Sequence, residues 1–451
     1  MSAHRQTDDS PDMVNKTDLL NWRSSHGYRF THDWFRFPGK FHPPLVEHIL
    51  QSFRPTGVLD PMAGVGTVAV EAKAAGIPSL SLDIDPVSSF FTRVKTTPIS
   101  GATLRAAWSD LSDSLNSFRR SETEVEIRKF RDIRSNAMRE HLTRVQAREF
   151  ERLTYWFRRY VLVDYALIDH SIFNGGLPSR SDAVRRFFLA CLLSSVRRIS
   201  LADPSPVSGL EITKHMRERI ERGYPIDVFR EFERRVELAI RRMEEYTAYL
   251  RKKGTYDTPA YYEQADCADL LRFNPAADFQ ADLILFSPPY CNAIEYWRRH
   301  RLEYFLGRFL DEQGAISLSK KFIGRSTVSD VAFIPPKLGY APIDRLLLDL
   351  QAQQRSKKAR ILWRYFQTMK ERLAIFHDYL PTRGHCVIVV GDSETGGSRV
   401  PTVGTITWLA KESGFRHVKT SRYRIKNRVM QFPIKSNSKI EKESIIVLQK
   451  P

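Results

Sequence analysis

The sequence predicts an α/β protein built on a doubly wound parallel sheet and carrying a large helical insertion. Three observations lead there. A short apolar strand, GVLDP (57–61), closes on Asp60 and runs into a turn with glycines at 64 and 66 and then a helix-forming run. A second strand, IPSLSLDID (77–85), ends in two acids. A third, ADLILF (281–286), stops abruptly at Ser287-Pro288-Pro289-Tyr290. Strand, glycine-rich turn, helix and acid-ended strand is the opening of a doubly wound sheet.

Residues 1–20 are polar and mixed in charge, and read as a flexible tail. The turn Asp60-Pro61-Met62-Ala63-Gly64-Val65-Gly66-Thr67 has two glycines, which let the backbone approach a ligand closely. The helix behind it offers unpaired N–H groups. It is not a phosphate-binding loop, because Gly66 is followed by Thr67 and no Lys-Ser/Thr pair. The run TVAVEAKAAG (67–76) ends at Gly76, a usual residue for closing a helix. Carboxylates at strand ends either accept hydrogen bonds from a ribose diol or cap the next helix. Asp83 is the better ribose candidate and Asp85 its neighbour.

From residue 98 to 255 the texture becomes helical, as in RVQAREFERLTYWFRRYVLVDYAL (144–167) and IDVFREFERRVELAIRRMEEYTAYLRKK (226–253). Loops interrupt it at 173–182 and 201–209. Strand texture returns at ADLILF, at GHCVIVVGDS (384–393) and at SIIVLQ (444–449), with an amphipathic helix over 360–380 between them. Asp266, in EQADCADL (263–270), supplies an acid shortly before the Ser-Pro-Pro-Tyr strand. The division expected is a catalytic domain from 21–97 and 256–451, with 98–255 inserted.

The net charge of +18 points to a polyanionic partner, nucleic acid before acidic membrane. The excess leans C-terminal, since residues 291–451 hold 29 Lys/Arg against 14 Asp/Glu. No apolar run is long enough for a membrane span, and Cys191, Cys267, Cys291 and Cys386 lack metal-ligand spacing. A cytoplasmic protein without a metal is the expectation.

Taken together, Asp-Pro-x-x-Gly-x-Gly-Thr, the acid-ended second strand, the third acid and Ser-Pro-Pro-Tyr resemble the motifs of S-adenosyl-L-methionine-dependent DNA methyltransferases acting on exocyclic amino groups. The Ser-Pro-Pro-Tyr form is similar to that of cytosine-N4 members; adenine-N6 members usually carry Asp or Asn in place of Ser287. Upstream, FRFPGKFHPPLVEHIL (35–50) is similar to the segment beside the cofactor's methionine end. The helix 292–307 resembles the one that follows the catalytic loop. The likeness covers roughly 35–100, 256–310 and 360–395. The insertion lies between the second and third strands rather than where many members place target recognition, so no recognition residues are carried over.

The resemblance implies a Rossmann-like methyltransferase sheet that binds S-adenosyl-L-methionine through Lys40, Phe41, His42, Asp60, Pro61, Ala63, Gly64, Gly66, Thr67, Asp83, Asp85 and Asp266. It implies catalysis by Ser287, Pro288, Pro289 and Tyr290. An exocyclic amine is a poor nucleophile, and acceptors aimed at its N–H bonds favour attack; a proline-locked turn holds the Ser287 hydroxyl and Pro288 carbonyl ready. Tyr290 would stack on a base turned out of the duplex. Double-stranded DNA is the partner implied, with a cognate restriction endonuclease as companion and the enzyme a monomer or weak dimer. Adenine N6 in DNA, and guanine N2 or adenine N6 in RNA, are the alternatives. KKFIGRSTVSD (320–330) and SRYRIKNRVMQF (421–432) mix basic and aromatic residues in a way that suits phosphate contact. They nominate Lys320, Lys321, Arg325, Arg422, Arg424, Lys426 and Arg428.

Overall fold

The computed structural model describes residues 29–37, 39–116, 118–119, 153–175, 177, 181–203, 210–273, 275–276, 279–291, 296–324, 334–395, 397–424 and 442–451. Helix α1 (Pro43–Phe53) opens with two prolines, tolerated in a first turn whose N–H groups lack helical partners. Strand β1 (Val58–Asp60) is followed by α2 (Thr67–Ala75), β2 (Ser79–Asp83) and α3 (Pro86–Thr96). Helices α4 (Gly101–Asn116), α5 (Arg159–His170), α6 (Asp182–Ile199), α7 (Lys214–Glu221) and α8 (Val228–Lys253) precede β3 (Ala260–Gln264). After β4 (Leu283–Phe286) come α9 (Tyr296–Arg299), α10 (Arg301–Leu306), α11 (Glu312–Ser319), α12 (Ala341–Ala352) and α13 (Ser356–Tyr379). The chain finishes with β5 (His385–Val390), a hairpin of β6 (Ser393–Thr395) and β7 (Ser398–Val400), α14 (Thr402–Glu412), β8 (Arg416–Arg424) and β9 (Lys442–Gln449).

Seven strands form one sheet in the order β3-β2-β1-β4-β5-β9-β8. It is parallel from β3 to β5, and β9 runs antiparallel to both β5 and β8. This is the doubly wound, Rossmann-like sheet expected. Leu59 of β1 pairs with Leu80 of β2 on one side and Ile284 of β4 on the other, so the winding direction reverses between β1 and β4. A crevice opens at such a reversal, outside the carboxyl ends of the strands.

Both sheet faces are covered. Leu283 and Leu285 of β4 pack with Leu45, Val46 and Ile49 of α1, whereas Ile284 and Phe286 join the layer of α12, α13 and α14. Phe286 meets Phe376 edge-on at 5.3 Å. Burial on both faces explains why β4 reads as an unbroken apolar run rather than an alternation.

Helices α3, α4, α5, α6 and α8 share one core with Phe30, Trp34 and Phe35. Helix α8 shows how the sequence sets its limits. Asp227 accepts the Arg230 amide at 2.9 Å at its start, Gly254 closes it at φ +71°, and its apolar stripe runs from Phe229 through Val236 and Met243 to Leu250. Tyr246 of that helix donates to the Val70 carbonyl at 3.1 Å, which fixes it to α2. Residues 144–152 of the helical run read over 144–167 lie outside the described residues; the described part opens with a turn at 153–157, and its helix α5 begins at Arg159.

The basic segment SRYR (421–424) forms the end of β8. That strand lies at the sheet edge, where one side of the ladder is open and Lys and Arg discourage further pairing. Its spacing therefore looks basic rather than apolar.

Candidate active site

A cleft at the β1/β4 reversal holds about 950 Å³ of empty space, the open mouth included. It is lined by Lys40, Phe41, Asp60, Pro61, Ala63, Gly64, Thr67, Asp83, Asp85, Asp266, Ser287, Pro288, Pro289 and Tyr290, all singled out from the sequence. Lys321 lines it too. Segments more than 200 residues apart thus meet because β1, β2, β3 and β4 end on the same edge.

The glycine-rich turn forms the floor. Gly64 stands at φ +52°, and a Cβ there would come within 3.0 Å of Phe37 Cε1. Its amide donates to Asp83 Oδ2 at 2.7 Å, and its carbonyl accepts from Thr92 Oγ1 at 3.2 Å. Gly66 does not reach the cleft. It caps α2 at φ +74°, and a Cβ would lie 2.7 Å from Thr92 Oγ1, so it is small for packing rather than for a ligand.

Each acid has a distinct environment. Asp60 is buried and accepts the Met62 amide at 3.1 Å; burial, with the Asp83 charge added, pushes its pKa well above the carboxylate range. Asp83 accepts from Gly64 and, through Oδ1, from the Asp85 amide at 2.9 Å. Burial, and next the Asp85 charge, raise its pKa to about 7. Asp85 is mostly committed elsewhere: Oδ1 accepts the amides of Val87 and Ser88 as the cap of α3, and Oδ2 lies 2.5 Å from His300 Nδ1. Asp266 caps the short 3-10 turn Cys267–Arg272 through the Ala268 amide at 2.9 Å, with Arg372 3.4 Å from its carboxylate.

The segment before α1 covers the other side. Lys40 lines the cleft, but its ammonium donates to the carbonyls of His32 and Phe35, and burial lowers its pKa to about 8. Its main work is therefore to fold this segment over the turn. His42 is not among the lining residues; it heads α1, where its carbonyl accepts from Leu45 and Val46. Burial lowers its pKa to about 4 and leaves the ring neutral at physiological pH.

The strand stop delivers Ser287, Pro288 and Pro289 to the edge as a turn with few free dihedrals. Tyr290 donates its hydroxyl to Glu443 Oε1 at 2.9 Å, and Tyr423 donates to the other oxygen of that carboxylate. Phe37 stacks on Tyr296 at 5.3 Å and 17°. Gly39, at φ +69°, lets the backbone pass close to both tyrosines; a Cβ would stand 3.2 Å from the Tyr296 hydroxyl and 3.6 Å from Tyr290 Cε2.

Among the basic residues named from the sequence, Lys320 ends α11 and is exposed, while Arg422 is exposed on β8. The Arg424 side chain and Arg325, Lys426 and Arg428 lie outside the described residues. The four cysteines are free and buried, with Cys291 Sγ 2.8 Å from Ser393 Oγ. No helix among the described residues is long and apolar enough to cross a membrane, and no metal-ligand cluster occurs among them.

Sequence reasoning missed Glu443 and His300. Glu443 is the second residue of β9 with no surrounding motif, and His300 sits in the basic run WRRHR although its ring is 2% exposed. Tyr296 and Phe37 had a weak signal, since both fall in segments already quoted.

The chain is 22% identical over 443 residues to the Type II methyltransferase M.MvaI of Kocuria varians, across 96% of this chain and 92% of that protein. It is 37% identical over 83 residues to the Type II methyltransferase M.BsoBI of Geobacillus stearothermophilus, across 17% of this chain and 16% of that protein. No family model matches the chain, and no solved structure matches it.

Proposed function

We propose that the protein is a DNA methyltransferase that transfers a methyl group from S-adenosyl-L-methionine to the exocyclic amino group of a base, with cytosine N4 the first choice. The observation that carries this reading is the meeting of the Gly64–Asp83 turn and the Ser287-Pro288-Pro289-Tyr290 turn across one cleft. The full-length likeness to a Type II methyltransferase supports it, as does the net charge of +18.

The residues fit the cofactor. The glycine at 64 leaves an approach that a side chain would block, Asp83 offers a carboxylate to a ribose diol, and Asp266 lies at the next strand's exit. When bound, S-adenosyl-L-methionine supplies an electrophilic methyl group on a sulfonium. The protein's own contribution is positioning. The Ser287 hydroxyl and Pro288 carbonyl accept the two N–H bonds of the target amine, which returns its lone pair from the ring to the nitrogen. Tyr290 holds the base after it leaves the duplex. The reading takes residues 21–97 and 256–451 as the catalytic domain, with 98–255 a candidate for target recognition.

Nucleoside mass spectrometry on DNA from an unmethylated host expressing the protein tests this. N4-methylcytosine is expected. N6-methyladenine without N4-methylcytosine overturns the base assignment, and methylation confined to RNA overturns the class. Ser287→Ala and Tyr290→Ala should keep cofactor affinity by calorimetry and lose methyl transfer.

A further inference from the structure

The reversed strand β9 reaches the catalytic edge from the other direction. In a parallel sheet only C-terminal strand ends face the ligand crevice, but β9 is antiparallel to β5, so its N-terminal end arrives there. Ser444 pairs with Val390, the last residue of β5, and Glu443 stands one residue beyond. Its half-buried carboxylate accepts the Tyr290 hydroxyl at 2.9 Å through Oε1 and the Tyr423 hydroxyl through Oε2. Tyr423 lies opposite Glu443 in the β8–β9 ladder, so the acceptor is held by its own cross-strand neighbour.

We propose that Glu443 is a positioning residue for the reaction: it fixes the Tyr290 ring at the mouth of the cleft, with Tyr423 locking the carboxylate from behind. This rests on the reading of Tyr290 as the residue that holds the target base. A phenol donating to a carboxylate makes a short, directional bond. It leaves the ring's face available while removing rotation about the side chain. Two backbone contacts complete the clamp: Gly39 passes along one side of the ring, and Gly324 is packed so that a Cβ would fall 2.9 Å from the Tyr290 carbonyl oxygen. A free tyrosine at a strand stop would sample several rotamers and lose order with each turnover. The bond to Glu443 removes that freedom before the base arrives, which is where preorganisation raises a rate.

The test is a double-mutant cycle on the full chain with Glu443→Ala, Tyr290→Phe and the pair, using tritiated S-adenosyl-L-methionine and unmethylated genomic DNA. Each single variant should slow methyl transfer at saturating substrates by roughly ten- to a hundredfold, since small misplacements cost that much. Cofactor affinity should stay within about twofold, and the double variant should be no slower than the worse single one. Glu443→Gln keeps one acceptor oxygen and should fall between the parent and Glu443→Ala. Tyr423→Phe should give a smaller loss than Tyr290→Phe. A purely structural role would instead lower the thermal midpoint and add independently to the Tyr290→Phe loss. An active parent with additive losses, or with Glu443→Ala as fast as the parent, overturns the assignment of Glu443 alone. A parent that transfers no methyl to DNA overturns the reading of the site and this inference with it.

Discussion

The Asp83 carboxylate accepts the backbone amide of Gly64 at 2.7 Å, tying the end of β2 to the first glycine of the turn that leaves β1. That bond sets the geometry of the cleft floor, and it joins a residue that must be acidic to one that must be small.

Cofactor binding should depend on pH through Asp83. Its pKa is raised to about 7, first by burial and then by the Asp85 charge, against the opposing amides of Asp85 and Gly64. The unfolded value is about 3.9. Between the two the folded chain binds the extra proton, so this group's contribution to stability falls as pH rises from about 4 to about 7. A diol donating to Asp83 favours the ionised form, so S-adenosyl-L-methionine should bind more tightly as pH rises towards about 7 and level off above. Calorimetry in buffers of different ionisation enthalpy should find proton release near pH 6. An affinity independent of pH from about 5.5 to 8 would remove Asp83 from the cofactor site.

The two glycines of the turn should fail differently. Gly64→Val places a branched side chain against Phe37 at a positive φ and in the cofactor's approach, so cofactor affinity should be lost. Gly66→Ala drives a methyl into Thr92 behind the turn, and should cost stability on the order of 1–3 kcal/mol while leaving the cleft intact. Urea denaturation and calorimetry separate the outcomes. Unchanged cofactor affinity in Gly64→Val would show that the pocket lies elsewhere.

His300 should act as a structural cation. Burial opposes its charged form, but the Asp85 carboxylate 2.5 Å away outweighs this and raises its pKa. The stabilisation is therefore fully present below the unfolded value of about 6.5 and is lost as pH climbs through the folded one. His300→Ala leaves Asp85 buried beside the start of α3 and should cost about 3–5 kcal/mol below pH 6. The variant's stability should also vary less with pH than the parent's above that point. Parallel stability curves for parent and variant would mean that the pair is not charged.

The basic excess should appear in salt dependence. If it serves DNA phosphates, non-cognate duplex binding should weaken with a log–log slope near −0.9 per neutralised phosphate. Replacing Arg422, Arg424, Lys426 and Arg428 by Ala should flatten that slope by up to about four phosphate equivalents, with cofactor affinity nearly unchanged. A slope equal to the parent's would assign the cluster to surface solvation and move attention to the arginines of α6 and α8.

Local order was written in the sequence. Gly64 and Gly66 after a strand, the acid at Asp83, and two prolines after Phe286 each fix the backbone within a few residues, and so the turns at the cleft could be located without coordinates. The doubly wound class followed from their order. Pairings between distant strands were another matter. That β9 runs backwards between β5 and β8 depends on which strand completes the sheet, and no local pattern near SIIVLQ encodes a direction. That reversal brings Glu443 to Tyr290, 153 positions away in the chain. Burial was equally hidden: His300 and Lys95 look like surface charges, and only packing made one a partner of Asp85 and sent the other to the Val65 carbonyl. Propensity and turn chemistry act over a few residues, whereas a desolvated charge finds its partner wherever the completed fold puts one.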